Sequence, residues 1–176
     1  PEYNGFKISI GKETIHGDEI QNVKRVLRQE AMSRPPEGLP GGKIEKLDVI
    51  PGYIDYVTGN IRLPALERPV KVVLDSGNGT AGLVAPMLLK RLGCEVVELF
   101  SAPDGRFPNH HPDPTVPENL KDLIEAVRNS GADFGVAYDG DADRIGVVDE
   151  KGGIIWGDKL MIIFAKSILE TNPGAT

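Results

Sequence analysis

Phe134-Gly135-Val136-Ala137-Tyr138-Asp139-Gly140-Asp141-Ala142-Asp143-Arg144 runs from a short apolar segment straight into three carboxylates at alternate positions. The first five residues have the length and composition of a strand, so the stretch reads as a β-strand ending in an acidic loop. Like charges held about 4 Å apart repel by roughly 4 kcal/mol at an effective dielectric near 20. A clustered triplet therefore needs a cation, or it must splay into water. An extended chain would splay it, because at about 3.3 Å per residue Asp139 and Asp143 stand roughly 13 Å apart. One small ion reaches all three only if the segment curls, and Gly140 and Ala142 leave room for that. Oxygen donors without a neighbouring Cys or His favour Mg²⁺, Mn²⁺ or Ca²⁺ over Zn²⁺.

Three other readings compete. A solvated acidic turn after a strand needs no ion. An EF-hand loop would use positions 1, 3, 5 and 12, and Glu150 does fall twelfth, but the sixth position must be a turn glycine and here it is Arg144. A haloacid-dehalogenase-type phosphotransferase also carries Asp-x-Asp at a strand end, yet it would place Thr or Val where Asp143 stands.

Around this loop the pattern alternates. Val70–Leu74 reads as a strand, Thr80–Leu92 as a helix, Glu95–Phe100 as a strand and Pro117–Ser130 as a helix, which predicts an α/β domain. Leu120, Leu123, Ile124 and Val127 supply the core stripe of the last helix, with Thr115 and Glu118 as its capping box. Pro86 must kink the preceding helix or delay its start. Ile145–Val148 forms a hairpin with Ile154–Trp156 across Lys151-Gly152-Gly153, and Asp158–Leu169 is a further helix. Upstream, Phe6–Ile10 reads as an extended segment. A helix follows from an Asp18/Gln21 capping box to about Glu30, with Ile20, Val23, Val26 and Leu27 as its buried stripe. Ser33–Gly42 reads as a Pro/Gly-rich linker, Ile44–Val49 as a short strand and Pro51–Ile61 as a helix, so a domain boundary is expected between 45 and 68.

At 176 residues and 40% hydrophobic content the chain can bury a core. Its 20 basic and 26 acidic residues give a net charge of −6 without a Lys/Arg-rich stretch, which argues against a nucleic-acid partner. One cysteine, Cys94, rules out an intrachain disulfide and fits a reducing compartment. No apolar run approaches the roughly 20 residues that span a bilayer, and no basic-then-apolar leader is present, so a soluble, cytoplasmic protein without a membrane partner is expected. An initial proline and an unpartnered first strand point to a fragment.

Gly77-Asn78-Gly79-Thr80-Ala81-Gly82, between a strand and a helix and with Glu98 near the end of the next strand, matches the dinucleotide-binding fingerprint. The other reading is a tight strand-to-helix turn. Asp75 favours the second, because it puts negative charge where a pyrophosphate would come, and a dinucleotide would leave the aspartates without a role.

Pro1-Glu2-Tyr3-Asn4-Gly5-Phe6-Lys7, the Gly77–Gly82 turn, the Pro103–Pro114 segment (PDGRFPNHHPDP) and Asp139–Arg144 stand in the order found in the α-D-phosphohexomutases. The chain resembles that family, and within it the bacterial phosphomannomutase/phosphoglucomutase group. The resemblance implies a mixed β-sheet layered with helices. Residues 1–48 would be the end of a first domain, 49–153 a second domain carrying the metal loop, and 154–176 the start of a third. It implies a mutase that interconverts the 1- and 6-phosphates of mannose or glucose through a phosphoserine and a bisphosphate. Mg²⁺ would be held by Asp139, Asp141 and Asp143, and Arg144 and Lys7 would lie near the transferred phosphoryl group. By its residues alone Lys7 reads as a solvated lysine. The phosphoserine loop is expected before Pro1 and the sugar-reading segment after Thr176, so the 176-residue chain is expected to be inactive alone. A non-catalytic metal-binding module is the alternative. His110 and His111 are expected to be structural or to serve between domains, and His16 to lie on the surface.

Overall fold

The computed structural model describes residues 7–30, 42–61, 63–64 and 66–175. The chain divides into two compact units, Pro1–Lys46 and Leu47–Thr176. Phe6 of the expected first strand and all but Gly42 of the expected linker lie outside the described residues.

In the first unit β1 (Ser9–Ile10) pairs antiparallel with β2 (Glu13–Thr14). The expected strand thus shrinks to two described residues, and its partner carried too little apolar signal to be read. α1 (Asp18–Glu30) has the expected bounds. Its start differs, for Asp18 is already helical and Glu19 Oε2 accepts from the His16 N–H at 3.4 Å. The stripe of Ile20, Val23, Val26 and Leu27 stays exposed instead of buried. His16 is on the surface.

In the second unit the expected strand at Ile44–Val49 does not form; its Leu47–Val49 end is irregular, as are the residues before it. Leu47 and Val49 are exposed and meet no sheet edge. Asp48 Oδ1 instead accepts the Ile50 N–H at 3.2 Å as the chain enters α2 (Ile50–Asn60). The sheet comprises β3 (Lys71–Asp75), β4 (Glu95–Leu99), β5 (Phe134–Tyr138), β6 (Ile145–Asp149) and β7 (Ile154–Ile155) in the order β4-β3-β5-β6-β7. The β4-β3 and β3-β5 pairs are parallel, and β5-β6 and β6-β7 are antiparallel. This is the mixed sheet layered with helices that the resemblance implies, within the α/β class that the alternating pattern predicts.

Pro86 divides the segment after β3. A 3₁₀ turn at Thr80–Leu83 precedes α3 (Ala85–Arg91), in which Pro86 occupies the first turn, where its missing N–H costs no bond. The next helix also opens as a 3₁₀ turn, Pro117–Leu120, and continues as α4 (Lys121–Ser130). The Thr115/Glu118 capping box is absent because the Thr115 N–H and hydroxyl both donate to Asp113 Oδ1, at 3.0 and 2.7 Å. α5 (Gly157–Thr171) ends the described chain.

Strand alternation sorts the two faces. Val73, Ala137 and Val148 meet Leu120, Leu123 and Val127 of the α4 segment in a core with none of these more than 2% exposed. Burial of such side chains contributes about 1.5–3 kcal/mol each. On the opposite face Tyr138 lines a groove together with Leu88 and Leu89 of α3. β4 and β5 flank β3 on opposite sides, so the chain order reverses beside β3. In an open α/β sheet, the loops at the carboxyl ends of the strands next to such a reversal form the ligand crevice.

Candidate metal site at the sheet edge

Parallel pairing of Asp75 with Ala137 brings the turn after β3 and the loop after β5 to the same edge. The acidic loop is closed by its own backbone. The Asp139 N–H donates to Arg144 O at 3.2 Å, and the Ala142 N–H donates to Asp139 O at 3.2 Å. Ala142 takes a left-handed conformation, φ 64°, which costs an L-residue roughly 1–2 kcal/mol. The loop curls as the sequence requires for a single ion. One carboxylate oxygen each from Asp139, Asp141 and Asp143 lies within 4.8 Å of the others.

Their environments differ. Asp139 is buried, while Asp141 and Asp143 are exposed. Burial pushes the Asp139 carboxyl up, but hydrogen bonds from the Arg144 N–H (3.1 Å) and Nε (2.8 Å), with the Asp143 carboxyl and the Arg144 charge, bring it below the usual range. Asp143 is raised, first by its hydrogen bond with Asp139 and then by repulsion from Asp141 and Asp139. Arg144 is the adjacent counter-charge, with Nε 3.6 Å from Asp143 Oδ1 and Nη1 3.9 Å from Asp113 Oδ1. Sequence reasoning missed Asp113 as a site residue; its place upstream of the loop gives no local signal. An octahedral Mg²⁺ with oxygens at about 2.0–2.1 Å sets its ligand atoms roughly 3–4 Å apart. The all-oxygen set fits such an ion after a small inward turn of the two exposed carboxylates. A groove of about 480 Å³, lined in part by Tyr53, Thr80, Tyr138 and Asp141, opens beside the loop.

The glycine-rich turn serves this loop. The Asn78, Gly79 and Thr80 N–H groups donate to Phe100 O (2.8 Å), Ser76 O (2.7 Å) and Gly140 O (3.0 Å). The donors that would cradle a pyrophosphate are thus engaged by backbone carbonyls. Glu98, the acid of the fingerprint, pairs with Lys90 at 2.6 Å. Lys7 lies in the first unit and is exposed. His110 Nε2 is 3.0 Å from the buried Asp75 Oδ2, a structural contact. Cys94 is half-buried just after α3, and burial pushes its thiol up.

Residues 51–153 match the family model described as phosphoglucomutase/phosphomannomutase, alpha/beta/alpha domain II. That match covers more than half of the chain and includes the whole acidic loop. A phosphomannomutase/phosphoglucomutase of Pseudomonas aeruginosa is 46% identical over 175 residues, which are 99% of this chain and 36% of the relative. A phosphoglucomutase/phosphomannomutase of Thermococcus kodakarensis is 44% identical over an aligned span of 180 positions that covers 99% of this chain and 38% of the relative. A crystal structure of a phosphoglucomutase/phosphomannomutase family protein from Burkholderia thailandensis superposes with a TM-score of 0.76 at 45% identity, covering 92% of this chain and 33% of that one. The chain belongs to the phosphoglucomutase/phosphomannomutase family, and it spans little more than a third of the length of these curated relatives. Among the described residues no helix is long and apolar enough to cross a membrane.

Proposed function

We propose that Asp139, Asp141 and Asp143 hold one Mg²⁺ and that this chain is the metal-binding part of a cytoplasmic hexose-phosphate mutase. The enzyme interconverts the 1- and 6-phosphates of mannose or glucose through a phosphoserine and a bisphosphate intermediate. Residues 1–48 complete a first domain, 49–153 form the second and 154–176 open a third. The observation that carries this reading is the convergence of three carboxylates within 4.8 Å at the carboxyl edge of a family-matched sheet. Bound there, Mg²⁺ supplies charge stabilisation to a transferring phosphoryl group.

The protein residues have separable tasks. Asp139, anchored by two bonds from Arg144, fixes the inner ligand position, and the exposed Asp141 and Asp143 close on the ion from outside. Arg144 is tethered at Nε by Asp139, with Nη1 near Asp113, and its Nη2 is the group proposed to meet phosphate oxygens. Lys7 adds a second cation for the phosphoryl group or moves a proton.

A chimera tests the reading. The 176-residue segment replaces its counterpart in the Pseudomonas aeruginosa relative, and conversion of glucose 1-phosphate to glucose 6-phosphate is followed in a coupled assay. Activity is expected in the chimera, and Asp141→Asn should lower turnover by about two orders of magnitude by weakening metal stabilisation of the phosphoryl group. Normal turnover by the Asp141→Asn chimera would overturn the assignment.

A further inference from the structure

The contact between buried Asp75 and half-buried His110 lies outside the acidic loop, yet it joins the two segments that hold Gly140 from either side. On one side stands the glycine-rich turn. The Thr80 N–H donates to Gly140 O at 3.0 Å, and a Cβ added to Gly79 would come within 2.7 Å of that oxygen, so backbone meets backbone there. On the other side stands the segment after β4. A Cβ on Gly140 would lie 3.6 Å from both Phe107 Cζ and Pro112 Cγ. The loop that carries the three carboxylates is therefore gripped at its second residue.

Asp75 fastens both sides of the grip. Its Oδ1 accepts the Gly77 N–H at 2.8 Å, which sets the turn, and its Oδ2 meets His110 Nε2 at 3.0 Å, two residues before Pro112. His110 is fixed in turn by Nδ1, 2.9 Å from His111 O, and by an edge-on contact with the Phe100 ring, centroids 5.4 Å apart. A carbonyl only accepts, so Nδ1 is the nitrogen that donates to His111 O. Asp75 stands at 0% exposure, so its two oxygens depend on these partners. Asn109 Nδ2 donates to Asn78 Oδ1 at 2.7 Å and closes the same two segments a second time. Among the described residues the four non-glycine residues with positive φ, Asn78, Phe100, Phe107 and Ala142, all lie in these three segments. Local backbone preference does not hold such conformations, so tertiary bonds must.

We infer that Asp75 and His110 are positioning residues for the metal site: by locking the Gly77–Gly82 turn to the Phe107–Pro112 segment they fix Gly140 and so hold Asp139 and Asp141 in binding geometry. This rests on the metal reading above. Outer partners of metal ligands commonly set affinity without touching the ion.

The test uses the 176-residue chain, Mn²⁺ as the probe and two readouts. In Mn²⁺ titrations followed by electron paramagnetic resonance, His110→Ala should raise Kd about tenfold. Asp75→Asn should stay within about twofold of wild type, because an amide can accept from the Gly77 N–H and donate to Nε2. Val127→Ala, on the core face of α4, should lose thermal stability and keep the wild-type Kd. In metal-free hydrogen exchange, His110→Ala should speed the Thr80 and Ala142 amides beyond any change in Val127→Ala. An unchanged Kd in His110→Ala, or an equal rise in Val127→Ala, overturns the inference. If wild type itself takes up no Mn²⁺, the metal reading falls, and equal exchange at Thr80 and Ala142 in the two variants would then overturn the positioning role as well.

Discussion

Two loops meet at one edge of the sheet, and they use their polar groups in opposite ways. The Gly77–Gly82 turn has spent the three N–H donors from Asn78 to Thr80 on carbonyls, and Gly77 to Gly79 are buried. The Asp139–Arg144 loop has spent its backbone on closing itself, and it leaves Asp141 and Asp143 exposed. Both have the residue types of a ligand loop. A pattern of residue types shows which groups a segment possesses, and only the fold shows which of them remain free. The first loop is a support and the second is the site.

Breaking the support at its tightest point should have a large effect. A Cβ at position 82 would land 1.9 Å from Ser101 O, a backbone atom, so Gly82→Ala must displace the segment after β4. Loss of about 3 kcal/mol or more is expected in urea denaturation. Gly79→Ala collides less severely, 2.7 Å from Gly140 O, but it pushes on the acidic loop itself. It should cost about 1–3 kcal/mol and also weaken Mn²⁺ binding, which separates it from a purely stabilising position. Leu123→Ala offers the contrast, since this fully buried core residue lies on the face of α4. It should cost about 2–5 kcal/mol with metal affinity unchanged.

The two ends of β3 provide a sharper comparison through pH. Asp133, bonded by Arg68 and by the Lys71 N–H, is held down to about 2 from an ordinary 3.8. Its folded value is depressed, so its contribution to stability is present above pH 3.8 and is lost as pH falls through about 2. Asp75 has the opposite sign. Burial raises it, so the folded state holds the proton more tightly and stability falls as pH rises from 3.8 through the folded value. Thermal midpoints measured from about pH 2 to pH 6 should show Asp133→Asn flattening the acid limb and Asp75→Asn flattening the fall on the rising side. Equal profiles in the two variants would contradict these environments. The smallest expected effect is none. NAD⁺ at millimolar concentration should not saturably quench the half-exposed Trp156, because the turn's donors are already engaged.

The sheet is legible in the sequence wherever a signal is local. The apolar runs locate β3 to β6, the helical stripe bounds α1, and Pro86 marks the division between a 3₁₀ turn and α3. Alternate aspartates with small residues between them suffice to point to a curled loop, because a single ion reaches all three in no other way. The misreadings share one cause. Apolar residues at 44–49 lack a sheet edge to join, Thr115 finds Asp113 before it can cap a helix, and the α1 stripe stays exposed. Each depends on a partner that propensity does not contain. The Asp75–His110 contact is the extreme case, joining residues 35 apart. Only the parallel β3-β4 and β3-β5 pairings bring their segments to one edge.

Calorimetric titration of the 176-residue chain with Mg²⁺ and Mn²⁺, in wild type, Asp141→Asn and Asp143→Asn, tests the central claim most directly. A single saturable site is expected in wild type, with affinity reduced at least about tenfold in each variant, as removal of one of three converging charges requires. Heats that are absent in wild type, or the same in all three proteins, would contradict it.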